Sequence, residues 1–201
     1  MIDTLIQQLL RQSPLEWIAV VTALGYLILA IKQSIWCWPC AFVSTSIYVY
    51  LFGSVALFME SALNVFYLAM AVYGFVYWLK GKPDGAENVP VTQLALRWHI
   101  LAIATIALAV GVAGSQLVKT SQQLPYLDAA TTFSAVWATW LTARKVIENW
   151  WYWLVIDVVS IGIYTDRGLW LTAALFVVYV LLIPVGYLAW RRAMQAERHS
   201  V

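Results

Sequence analysis

Inside a run apolar enough to cross a bilayer stands Glu148-Asn149-Trp150-Trp151-Tyr152-Trp153-Leu154-Val155-Ile156-Asp157. Asn149, Trp153 and Asp157 are spaced i, i+4, i+8, so on a helix they stack along one face. A carboxylate and an amide at bilayer depth are costly, and such side chains mark a functional site by default. Aromatic faces beside a carboxylate hold a flat cation through ring quadrupoles and charge. A second polar row, Glu60, Asn64 and Tyr67 at i, i+4, i+7, also falls on one helical face. Glu60 lies close to the start of its segment, where water would satisfy it without any function. For Ser44, Thr45, Ser46, Thr131 and Thr132, hydrogen bonding to the preceding turn is the simpler account.

These residues need elements to hold them, and composition says which. The 201 residues are 63% hydrophobic and 11% charged, with mean hydropathy +0.76. About a quarter of a soluble domain is charged, so this is an integral membrane protein. No basic leader with a short apolar core and cleavage site opens the chain, and no cleaved signal peptide is expected. A spanning helix needs about 20 apolar residues. Seven segments answer to that: 15–31, 35–52, 54–79, 98–118, 126–143, 146–164 and 169–190. The expected class is an all-α polytopic protein of seven transmembrane helices. Trp36, Trp38, Trp78, Trp98 and Trp190 stand at segment ends and are expected as interfacial anchors. With the C-terminus inside, nine basic residues face the cytoplasm (Lys32, Lys80, Lys82, Arg97, Arg144, Lys145, Arg191, Arg192, Arg198) and three face out (Arg11, Lys119, Arg167). The positive-inside rule therefore orients the chain N-outside, C-inside.

Sliding the chain against itself by 112 positions brings Trp38 onto Trp150, Tyr67 onto Tyr179, Gly74 onto Gly186 and Trp78 onto Trp190. The boundary charges follow, Lys32 on Arg144 and Lys80 on Arg192. The shift divides a single membrane domain into repeat one (15–79), a connector helix (98–118) and repeat two (126–190). This is a 3+1+3 parallel repeat with its axis along the membrane normal, an architecture of transporters that bind substrate near the midplane between halves. The loop Gly81–Pro90, rich in Gly, Pro and charge, reads as the linker into the connector.

Other chemistries are excluded or disfavoured. Cys37-Trp38-Pro39-Cys40 lacks the βαβ context of a dithiol redox motif, and packing beside a proline accounts for it better. Two histidines, His99 and His199, cannot form a metal cluster by themselves, and no phosphate-binding glycine loop occurs. A retinal protein needs a lysine in its seventh helix, and 169–190 has none. No metal, cofactor or nucleic-acid partner is expected. No nucleophile with a positioned base is evident, which speaks against an enzyme using Glu60 and Asp157 as acid and base. A ligand sensor stays open as another class.

The stretch Arg144-Lys145-x-x-Glu148-Asn149-Trp150-x-x-Trp153-x-x-x-Asp157 resembles the signature of the PnuC family of bacterial vitamin transporters. So does Glu60-x-x-x-Asn64-x-x-Tyr67 with Tyr73, Gly74 and Trp78, and Asp128 keeps the family's spacing. The resemblance covers nearly the whole chain. It implies a multi-pass protein of the bacterial inner membrane that works by facilitated diffusion, with a cytoplasmic kinase trapping the vitamin by phosphorylation. It carries the binding role to Asn64, Tyr67, Asn149, Trp150, Trp153 and position 157, and Glu60 joins them on its own row. A homo-oligomer stays open. Nicotinamide riboside carriers tend to have Asn at position 157 and no carboxylate at 60; Asp157 and Glu60 depart from that pattern. Because a carboxyl group pairs well with an aminopyrimidine, the departure favours thiamine, with nicotinamide riboside as the alternative. Neutral riboflavin would leave a buried anion uncompensated.

Overall fold

The computed structural model describes residues 13–54, 58–82, 88–118, 124–168 and 170–199. Among them run seven helices: α1 Pro14–Ile31, α2 Cys37–Ser54, α3 Phe58–Lys80, α4 Leu96–Leu117, α5 Pro125–Ala143, α6 Asn149–Asp166 and α7 Trp170–His199. Four of them (α1, α3, α4 and α7) are long and apolar enough to cross a membrane by composition alone. α5 and α6 fall short of that measure because they carry the polar residues of the site. Helix starts follow local chemistry. At α1, Ser13 and Glu16 form a reciprocal capping box around Pro14 at the first helical position. Pro125 likewise stands at the start of α5, there without a side-chain cap.

The repeat is written into the backbone. In the α1–α2 loop, amide-to-carbonyl hydrogen bonds run Lys32→Ile28, Gln33→Ala30, Ser34→Leu29, Cys37→Ser34 and Trp38→Ile35. In the α5–α6 loop they run Arg144→Trp140, Lys145→Thr142, Val146→Leu141, Asn149→Val146 and Trp150→Ile147, each pair shifted by the same 112 positions. Side chains obey it too. Trp38 meets Trp78 edge-on at 5.4 Å and 87°, and Trp150 meets Trp190 at 5.5 Å and 87°. The two halves then exchange bonds: Trp78 Nε1 donates to the Ala143 carbonyl at 3.0 Å, and Trp190 Nε1 to Ala30 at 2.9 Å.

Several sequence expectations need correction. Trp38, Trp78 and Trp190 are not interfacial anchors; they are nearly fully buried in a cluster where the halves meet. Trp36 and Trp98 are exposed, as anchors should be. An apolar ring at a segment end looks the same in sequence whether lipid headgroups or a neighbouring helix receives it. Helix α6 starts at Asn149, later than 146, because Lys145 takes a left-handed backbone (φ 52°) that closes the loop first. Helix α7 runs past 190 to His199, where hydropathy had ended the segment, and Met194 buries against the tryptophan cluster.

One element was not foreseen. After the linker, whose residues 83–87 lie outside the described ones, Val89 and Val91 are buried. The strand-like piece around Thr92 lies along the α5–α6 loop. Thr92 donates its amide to Lys145 O and accepts from Ile147, both at 3.0 Å, and the Leu94 amide donates to Glu148 Oε2 at 3.3 Å. These hydrogen bonds of the strap run to the loop of the second half, while Val91 packs in the cluster shared by both halves. The pseudo-symmetry is therefore broken at the base of α6.

Candidate functional site

At the end of the bundle opposite those loops, a cavity of about 300 Å³ opens between the two halves. Helix α3 contributes Asn64 and Tyr67, α5 contributes Asp128, Thr131 and Thr132, and α6 contributes Trp153, Ser160 and Tyr164, with Arg167 just after it. The volume suits one small heteroaromatic molecule. Trp153 is held by a short relay: its indole N–H donates to the Thr142 hydroxyl at 3.1 Å, which donates in turn to the Ala138 carbonyl at 2.9 Å. The ring is thus oriented from α5 before any ligand arrives.

The row expected on one face of α6 is shared among three environments. Trp153 lines the cavity. Asp157 is 4% exposed and stands one position, about 100°, around the helix from Ile156, which lines the cavity. Asp157 is not itself among the lining residues, and its carboxyl lies within electrostatic reach of Tyr67 on α3 and Tyr179 on α7. Those two tyrosines are repeat mates, so corresponding positions of the two halves both feel the carboxyl. Tyr67 also lines the cavity. Asn149, 1% exposed, lies two turns toward the loop; its Nδ2 donates to the Val146 carbonyl at 2.6 Å and its Oδ1 is buried without a partner. Trp150 is not on the cavity wall: it packs on Gly186 and against Trp190. Asn64 is buried on the wall, while the side chain of Glu60 lies outside the described residues.

The sequence rows did not single out Arg167, Tyr164 or Tyr179. Arg167 forms an ion pair with Asp128 across the cavity mouth, joining the end of α6 to the first turn of α5. Placing the arginine at a helix C-terminus and the aspartate at a helix N-terminus suits both macrodipoles. The signal was present: Trp153, Ile156, Ser160, Ile163, Tyr164 and Arg167 continue one helical stripe toward the C-terminus. Tyr179 was legible only as the repeat mate of Tyr67. Most of the hydroxyls behave as local bonding predicts; Thr45, Ser46 and Thr131 donate to carbonyls three or four residues back. Ser44 is the exception, reaching the Ala19 carbonyl of α1 at 2.9 Å. The connector is tied to α6 by His99 Nδ1 and the Tyr152 hydroxyl, 2.9 Å apart.

Chemically the arrangement can bind a small flat molecule. An oriented indole, two phenols, an amide and a buried carboxyl recognise a flat, electron-poor ring, and the ion pair conditions its entrance.

The chain is similar to known transporters. The model of a family described as nicotinamide mononucleotide transporter matches residues 13–192. The riboflavin/roseoflavin transporter RibM of Streptomyces davaonensis is 27% identical, over 87% of this chain and 83% of that one. The nicotinamide riboside transporter PnuC of Neisseria mucosa is 25% identical over 94% and 76%, and that of Escherichia coli 22% over 88% and 85%. A crystal structure of the vitamin B3 transporter PnuC shares the fold, with TM-score 0.74 over 97% of this chain and 90% of the other, at 24% identity.

Proposed function

From the premise that the chain belongs to the nicotinamide mononucleotide transporter family, that of the PnuC carriers, we propose that it carries nicotinamide riboside by uniport across the bacterial inner membrane. The supporting observation is the oriented Trp153 and the Asn64–Tyr67 wall of a small cavity backed by the buried carboxyl of Asp157. A flat pyridinium meets the aromatic faces, and its positive charge offsets the cost of keeping a carboxylate there. The carboxamide and ribose hydroxyls match the amide and phenol groups. The basic end, with Lys32, Lys80, Arg144 and Arg191, lies in the cytoplasm by the positive-inside rule, so the cavity opens outward. Phosphorylation of the vitamin by a cytoplasmic kinase would then make uptake directional.

The preference for thiamine expected from two extra carboxylates is set aside. One of them, Glu60, has no described side chain. The relatives compared above are named for nicotinamide riboside and for riboflavin. Calorimetric titration of the purified protein with nicotinamide riboside, thiamine and riboflavin tests the assignment. Binding of riboflavin alone would sink it, and tighter binding of thiamine than of nicotinamide riboside would restore the discarded reading.

The ion pair supplies a second test. Asp128→Asn removes one negative charge beside Arg167 at the mouth, which disfavours a cation but not a neutral flavin. Affinity for nicotinamide riboside should fall roughly tenfold, the scale of one unit charge about 10 Å away at an effective dielectric near 20. Added salt should restore much of it. An unchanged affinity at low salt would show that the substrate does not pass near the pair.

A further inference from the structure

At the basic end the two helix-connecting loops lie side by side, and the residues that touch are repeat mates. Gln33 and Lys145 stand 112 positions apart, and both adopt a left-handed backbone, φ 56° and 52°. The Lys145 ammonium donates to Gln33 Oε1 at 3.0 Å and lies 4.5 Å from the centroid of the Trp78 ring. The Trp78–Ala143 and Trp190–Ala30 bonds close the same seam, and Arg144 adds a hydrogen bond to Tyr73 and a cation–π contact with Tyr77 at 4.6 Å. Every one of these contacts joins opposite halves. While they hold, the two halves are joined at this end.

Lys145 is an unusual bolt for such a seam. It is 1% exposed, and no carboxylate among the described residues pairs with it. A neutral amide and a ring face hold the ammonium, which is poor compensation for lost water. Burial pulls its pKa down to about 8; Glu197 on α7 and Cys37 on α2 oppose the shift, and Lys82 after α3 adds to it. An apolar side chain of the same length would make the closed seam more stable. The charge therefore has another use.

We propose that Lys145 is the release element of a gate at the basic end: bonded to Gln33 while the seam is shut, its ammonium regains water only when the halves part. The seam is thereby kept from locking. The sign follows from linkage. In an open seam the lysine recovers its ordinary proton affinity, near 10.4. Protonation thus favours the open state, at full strength below the closed-state value of about 8 and fading above it. Transport should slow as pH rises from about 7 to about 9.5.

The inference rests on the reading of the chain as a carrier, but one readout does not. Cys37 is fully buried in the same tryptophan cluster and reports opening by its reaction with N-ethylmaleimide once Cys40 is replaced by serine. In Lys145→Met, labelling of Cys37 should be several-fold slower, with nicotinamide riboside affinity retained, liposome flux strongly reduced and the alkaline fall in rate abolished. In Gln33→Met, which keeps the charge and removes its acceptor, labelling should be several-fold faster. Equal labelling in native protein and both variants, or faster labelling in Lys145→Met, overturns the gate. If Lys145→Met does not fold, Gln33→Met decides alone, and labelling no faster than native overturns the gate. Absent flux in the native chain with the expected labelling pattern rejects the carrier and keeps the gate.

Discussion

Asp157→Leu should cost about tenfold to a hundredfold in affinity for nicotinamide riboside, the roughly 1–3 kcal/mol lost when a buried polar group is left without its partner. Asp157→Asn should spare most of that affinity while abolishing any binding of thiamine. An amide keeps a polar group near Tyr67 and Tyr179 and still matches a carboxamide or a hydroxyl. It cannot supply the carboxyl that an aminopyrimidine would pair with. The thermal midpoint of ligand-free protein should not fall in either variant. Among the described residues no hydrogen bond is found for this carboxyl, and replacing a buried polar group that lacks one is not destabilising in itself. Isothermal titration of the purified variants, with melting curves alongside, separates binding from folding. If the asparagine variant loses nicotinamide riboside as completely as the leucine variant, the substrate reads charge and not hydrogen bonding at this position.

Gly186→Ala and Gly74→Ala should be the most damaging single-methyl changes in the bundle. A Cβ at Gly186 would collide with the Trp150 ring, and one at Gly74 with the Trp38 ring. Neither indole can retreat, because each is almost wholly buried and set edge-on against Trp190 or Trp78. Overpacking of that kind costs about 1–3 kcal/mol, and more where neighbours are immobile. The two substitutions should lower the thermal midpoint by similar amounts, since they disturb the same contact in two copies. Gly162→Ala is the control: a Cβ there meets nothing, and a helix gains from alanine. A harmless alanine at 186 beside a harmful one at 74 would show that the second tryptophan–glycine contact is not built as described. Trp150 earns its place in the family motif through this contact, which supports α6 from behind while Trp153 faces the cavity.

How far the sequence could be read follows from what each residue exposes to a one-dimensional pattern. Length and hydropathy delimit seven helices, because a bilayer demands about 20 apolar residues whatever they pack against. The offset of 112 was visible in a handful of Trp, Tyr and Gly pairs, and it turns out to govern five consecutive backbone bonds in each loop. Helical periodicity placed Trp153 and Asp157 within one turn of each other. At i, i+4 they fall about 40° apart on one face, and periodicity alone does not tell that Trp153 is among the lining residues and Asp157 is not. The roles of Trp38, Trp78, Trp150 and Trp190 were misjudged for a similar reason. Lipid and protein interior reward an indole equally, and only the neighbour's position tells which receives it.

The sequence alone determines the class of protein, the repeat and the polar residues placed at bilayer depth, because each is a cost or a periodicity carried by the chain itself. Tertiary structure decides the rest. It brings Asp128 to Arg167 and Gln33 to Lys145 across 39 and 112 residues. It puts Asp157 within electrostatic reach of two tyrosines from opposite halves and turns Asn149 back onto its own loop. Those choices depend on helix rotation and on which halves meet. They are settled by packing rings against glycines and by finding partners for buried donors, neither of which leaves a mark at fixed spacing along the chain.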